Sequence, residues 1–250
     1  MAALQAAFLN EIEKLFKKRK VSVALIISFL VIIAGQLVIL GVRSGFGLRG
    51  VSSQDFPILV LSIVANSILP LFTALVTFDC FSSEFNHNII RITLTRPVSR
   101  LKIFAAKVAA IYSFIITNLL LLLLLSTLAG FLFNVNSLTL ASWSKILLAY
   151  LASSFPLLIL SLLLVLLANI IKNSITVFFV SVILFLVLKA AGVFFSQYSG
   201  LLLTTYLDWY KLWLANFLPW DKILRQFCLM IGYGIMLFTA GFYLFDKKDY

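Results

Sequence analysis

Charge is scarce in this sequence: 12% of its 250 residues are Asp, Glu, Lys or Arg, and nine are acidic. A soluble domain of this length carries about a quarter charged residues, so an ordinary water-exposed surface is excluded and a bilayer is the natural solvent. Histidine is limited to His87. With one histidine and carboxylates gathered at the ends of apolar runs, there is no Ser/His/Asp set, no intramembrane carboxylate pair and no His/Glu metal motif. No catalytic residue, metal ligand or cofactor is therefore assigned to the chain. The two cysteines, Cys80 and Cys228, lack metal-type spacing. No Gly-x-x-x-x-Gly-Lys-Ser/Thr loop occurs, so the chain does not itself hydrolyse ATP in the usual way. Nor does an acidic residue interrupt an apolar run, as it does in many ion-driven transporters.

What is present is apolar length. Hydrophobic residues make up 62% of the chain and the mean hydropathy is +1.11. A helix needs about 20 apolar residues to cross about 30 Å of hydrocarbon. Six stretches meet that requirement: Val21 to Val42, Phe56 to Phe78, Val108 to Phe133, Ile146 to Ile171, Ser174 to Phe195 and Gln226 to Phe245. The expected fold is all-α: a single polytopic membrane domain over 1–250 with six transmembrane helices. Lys189 is the one charge inside a stretch, and its position near the outer end reads as an interfacial anchor whose stem lets the ammonium snorkel outward.

Basic residues set the orientation. With both termini cytoplasmic, the inner segments hold thirteen of the twenty Lys and Arg residues. Localisation is then the cytoplasmic (inner) membrane, multi-pass. Cys80 and Cys228 fall on opposite sides and cannot pair. The net charge of +11 reads as this topological signal together with attraction to anionic lipid, not as a nucleic-acid footprint.

Ahead of the first stretch, Leu4, Phe8, Ile12, Leu15 and Phe16 recur at helical spacing, with Gln5, Glu11, Lys14, Lys17 and Lys18 on the other faces. Residues 3–19 are thus an amphipathic interfacial helix; the next apolar run is too long for a cleaved signal peptide. In the second stretch Ser62, Asn66, Thr73 and Thr77 fall within about 60° of one α-helical face, with Pro70 in the same helix. That stripe either lines a translocation pathway or bonds a neighbouring helix. Leu119 to Leu125 reads as lipid-facing filler, and Gly232, Gly234 and Gly241 permit close packing. Residues 196–225, rich in Tyr and Trp, form an outer interfacial or re-entrant segment in which Pro219 ends a short helix.

Between the second and third stretches the sequence runs Ser83-Glu84-Phe85-Asn86-His87-Asn88-Ile89-Ile90-Arg91, continues to Arg96-Pro97-Val98-Ser99-Arg100, and reaches Lys107. This resembles the signature cytoplasmic segment of type 2 ABC exporter permeases: a Glu before a Gly-Thr pair, an apolar run, Pro-Val-Ser-Arg, and a Lys seven residues on. Asn88-Ile89 replaces the Gly-Thr pair, and asparagine tolerates the left-handed backbone better than other non-glycine residues. The resemblance implies a transmembrane subunit of an ATP-driven exporter working as a pair of chains, a homodimer, with two separate ABC ATPase subunits that bind the ATP and Mg. It implies that segment 81–100 docks on the ATPase, with Glu84, Phe85, His87, Asn88, Arg91, Arg96, Pro97 and Arg100 as the contacts. Glu84 to about Arg91 is expected to form a short helix ended by Arg96-Pro97. The alternative is a secondary transporter or channel that needs no ATPase. The substrate is not readable from an apolar, hydroxyl-rich lining.

Overall fold

A computed structural model describes residues 2–46, 51–86, 99–134, 139–171, 173–215 and 217–247. The architecture is all-α, with no β-strand among the described residues. Helix α1 covers Ala2–Phe16 and α2 Arg19–Phe46; α3 (Asp55–Ile63) continues through a π turn, Val64–Ile68, into α4 (Leu69–Asn86). Next come α5 (Arg100–Phe133), α6 (Leu140–Ile170) and α7 (Ser174–Phe194). Two 3₁₀ turns, Ser196–Leu201 and Leu203–Asp208, lead to a single turn α8 (Tyr210–Trp213) and to α9 (Trp220–Asp246). Six of these units are long and apolar enough to cross a bilayer: α2, α3–α4, α5, α6, α7 and α9. The chain is a multi-pass membrane protein.

Local chemistry sets several helix ends. Thr139 caps α6 by accepting from the Ser142 amide at 3.2 Å, which satisfies a donor the first turn leaves free. Ser99 is extended, and its carbonyl accepts from the Lys102 amide at 2.9 Å to open α5. Pro219 does not end a short helix as the sequence suggested; it opens α9. Its carbonyl accepts from Lys222 and Ile223 at 3.0 Å, and its missing N–H is harmless where a helix has no acceptor for it. The last span consequently starts at Trp220, and residues 220–225 belong to it rather than to the outer segment.

Helix α6 is the core element: 61% of its most apolar window is buried, against 17% for α7 and for α9, which present most of their surface outward. Large side chains fill the junctions. Phe81, Phe104 and Phe245 are all but fully buried and meet at ring-centroid distances of 5.5 to 6.2 Å. The leucine run is not simple filler, because it winds around a helix that has two environments: Leu119, Leu122 and Leu123 are buried while Leu120 and Leu124 are exposed. Among the α9 glycines, a Cβ on Gly241 would stand 3.3 Å from Phe104 and one on Gly234 3.1 Å from Ile159. Gly232 has nothing within 4 Å, so it makes no close packing within this chain.

Helix α1 is amphipathic, but its buried side includes a carboxylate. Glu11, expected on a polar face, is 5% exposed and turned into the bundle, while Leu9 is 62% exposed. The reason lies on α5.

Candidate functional site

Near the start of α5, Lys107 is buried inside the bundle. Its ammonium, 1% exposed, donates to Glu11 Oε2 at 3.1 Å and to the Cys80 carbonyl at 2.9 Å. It also lies 5.8 Å from the centre of the Phe81 ring. Lys14 adds a second bond to Glu11, 3.0 Å. Beside this, Asp79 accepts from Lys20 at 2.8 Å through its carboxylate and from Lys18 at 3.0 Å through its carbonyl. Burial alone would raise the Glu11 carboxyl. The charges of Lys107 and Lys14 and their hydrogen bonds outweigh that, so Glu11 is held below its ordinary value and stays ionised. One buried cluster thus ties α1, the end of α4 and the start of α5 together.

Arg100, the first residue of α5, donates to the Asp246 carbonyl and ion-pairs with the Asp246 carboxylate at 3.6 Å. The start of the third span and the end of the sixth therefore share one face of the bundle, here called the terminal face. Of the segment-81–100 residues, Glu84 and Phe85 belong to the last turn of α4, which runs unbroken to Asn86. They are not the start of a separate short helix, because Ser83 to Asn86 continues the span's own hydrogen-bonded spiral and contains no breaker. His87, Asn88, Arg91, Arg96 and Pro97 lie outside the described residues.

The stripe on the second span is split. In an uninterrupted α-helix Ser62, Asn66, Thr73 and Thr77 share a face. The π turn over Val64–Ile68 takes in an extra residue and rotates the remainder of the span by about 100°. Thr73 and Thr77 are buried inside the bundle, and Thr73 Oγ1 bonds back to the Leu69 carbonyl at 2.7 Å. Ser62 and Asn66 are half-buried and turn toward the aromatic segment, where Ser62 is the hydroxyl neighbour of Tyr210.

Asn66 is the centre of a second polar cluster. Lys189 of α7 donates from its Nζ to the Asn66 carbonyl at 2.8 Å. The Lys189 ammonium is thus turned to the second span. The Asn66 amide donates to Asp208 Oδ1 at 3.0 Å, and Lys211 reaches the same oxygen at 2.9 Å. That bond raises the Lys211 ammonium above its ordinary value. Asn66 stands eleven residues into a 27-residue span, about 16 Å along it. The aromatic segment thus brings an acidic side chain against the second span. Around it Tyr206, Trp209 and Tyr210 are buried, so residues 203–213 plug the end of the bundle. Trp209 stacks on Phe227 of α9 with centroids 6.2 Å apart and planes at 14°.

Sequence reading missed Glu11, Asp79 and Asp208 as partners. The Asp208–Lys211 spacing of three residues was a legible local signal; the long-range partners were not. An apolar cavity of about 190 Å³ also opens between α5 and α6, lined by Tyr112, Leu119, Leu123, Tyr150 and Ser154 among others. Its polar atoms are already engaged, Tyr112 with Ser154 at 3.2 Å and Tyr150 with the Pro57 carbonyl at 2.9 Å. No group of three metal-ligating side chains occurs among the described residues.

No curated protein matches the chain. A family model described as "Protein of unknown function (DUF2705)" matches residues 21–250, all six spans included, and the chain belongs to that family.

Proposed function

We propose that this chain is the transmembrane permease subunit of an ATP-driven ABC exporter. In this reading two copies pair, two separate ATPase subunits bind ATP and Mg, and the terminal face is cytoplasmic. The segment between α4 and α5 docks on the ATPase. One observation carries the reading beyond the sequence resemblance: that segment springs from a rigid root. A contact that transmits force must rest on elements that do not yield. Here the end of α4 and the start of α5 are joined by the buried Lys107 to Glu11 and the Cys80 carbonyl, with Arg100 fastening the same root to Asp246.

A second reading, an ion-coupled transporter without an ATPase, is favoured by Asp208, a carboxylate bonded to the Asn66 amide of the second span. Isolation of the intact chain from its native membrane in mild detergent separates the two. An ABC ATPase at one copy per chain supports the exporter. Cation-driven transport by the purified chain alone, with no ATPase present, overturns it.

A further inference from the structure

The cluster around Asn66 holds two lysines and one carboxylate in a bundle whose spans are otherwise almost free of charge. Asp208 is committed to Lys211 at 2.9 Å, and the bond from Lys189 goes to a neutral backbone carbonyl. Lys189 stands five residues before the end of α7, and the dipole of one carbonyl compensates its charge less than an anion would. The cluster is reachable: the Lys211 and Asp208 side chains are 57% and 43% exposed, and Lys189 is half-buried. One helical turn from Lys189 and Asn66, an apolar seam between α4, α6 and α7 begins. It is lined by Pro70, Leu71, Ala74, Phe185 and Leu188 and closed down to about 10 Å³ of free volume. The bond that an anion would have to take over, Lys189 to Asn66 O, is also one that holds α7 against the π turn. π turns of this kind, set inside α-helices, occur frequently at functional sites.

We propose that Lys189, Lys211 and Asn66 form a recognition site for the anionic headgroup of an amphipath, with Lys189 contacting the anion. Asp208 holds Lys211 and Asn66 in place, and the seam receives the tail as α4 and α7 part. This deepens the permease reading, on which it rests for the idea that molecules pass through the bundle. Its test needs no ATPase, so the two fail separately.

The probe is dodecyl phosphate, added to the full chain in phosphatidylcholine nanodiscs and monitored by tryptophan fluorescence, since Trp209 and Trp213 flank the cluster. Binding is expected to saturate in the wild type and in Lys189→Arg. In Lys189→Gln it is expected to weaken about tenfold or more, the loss of one charge-assisted hydrogen bond. A variant-free measurement accompanies it: dodecyl phosphate protects Lys189 of the wild-type protein from an amine-acylating reagent, read by mass spectrometry, and dodecyltrimethylammonium does not. This second readout stands if Lys189→Gln fails to fold. Equal binding by Lys189→Gln, or equal protection by the cationic surfactant, overturns the site. Equal competition by inorganic phosphate assigns it to a free anion and overturns the amphipath.

Discussion

Replacing Lys107 with Met removes the ammonium from the α1–α4–α5 root while keeping the volume of its stem. Glu11 is then 5% exposed with Lys14, whose side chain is 37% exposed, as its remaining ionic partner. Breaking a buried pair in this way costs about 3–5 kcal/mol. The penalty has a ceiling, because Glu11 can take a proton instead. From an ordinary value of 4.5, protonation at pH 7 costs about 3 kcal/mol. The undocking equilibrium of α1 therefore shifts by roughly a hundredfold. Amide hydrogen exchange across Ala2–Phe16, measured in detergent, reads that shift directly. The double variant Glu11→Gln with Lys107→Met should recover most of the protection, since neither partner then carries a buried charge. Unchanged exchange in Lys107→Met, or a double variant as fast as the single, would refute the argument that this ion pair fastens α1.

The same pair sets an acid limit. Because the folded Glu11 value is lowered, its contribution is complete above the ordinary 4.5 and is lost as pH falls through the folded value, so the protection of α1, relative to the intrinsic exchange rate at each pH, falls only in acid. Among the glycines, Ala at Gly130, whose Cβ would stand 3.0 Å from the Ser53 carbonyl, should lower the melting temperature by several degrees, whereas Gly232→Ala, with nothing within 4 Å, should leave it within a degree or two. Cysteine at Phe217, 93% exposed, in a background lacking Cys80 and Cys228 should react with an impermeant reagent in intact cells, and cysteine at Asp246 should not. The reverse pattern overturns the cytoplasmic placement of the terminal face. Asn66→Leu removes the amide that holds Asp208 but keeps the carbonyl that holds Lys189, so exchange in residues 203–213 should rise while α7 stays protected.

The spans were legible in the sequence because apolar length is a local property, and all six appear, with starts up to eight residues earlier than expected, as at Arg100 against Val108. Ends were less legible: α9 begins at Trp220 because Pro219 can open a helix as readily as end one, and nothing local decides between them. The polar stripe on the second span misled for a structural reason. A face computed at 100° per residue does not survive the π turn over Val64–Ile68, which moves Thr73 and Thr77 away from Ser62 and Asn66. Charged residues near span ends were read as topology signals, and that hid Lys107 and Lys189, whose partners lie 96 and 123 residues away. No periodicity reports such a distance. The Glu84–Arg100 motif was legible as a pattern, and the structure adds where its two ends are anchored.

Coupling of the bundle to an ATPase through this segment is measured most directly by ATP turnover of the complex assembled with Glu84→Ala, beside the wild type and Arg96→Lys. An interfacial charge-assisted bond of about 1.5 to 3 kcal/mol predicts a loss of about tenfold or more in ATPase association for Glu84→Ala. Arg96→Lys should lose assembly too if its guanidinium pairs in two bonds with a carboxylate. The wild type keeps both assembly and substrate-stimulated turnover. Full assembly and full stimulation in both variants would contradict the account and leave the segment a solvated connection between two spans.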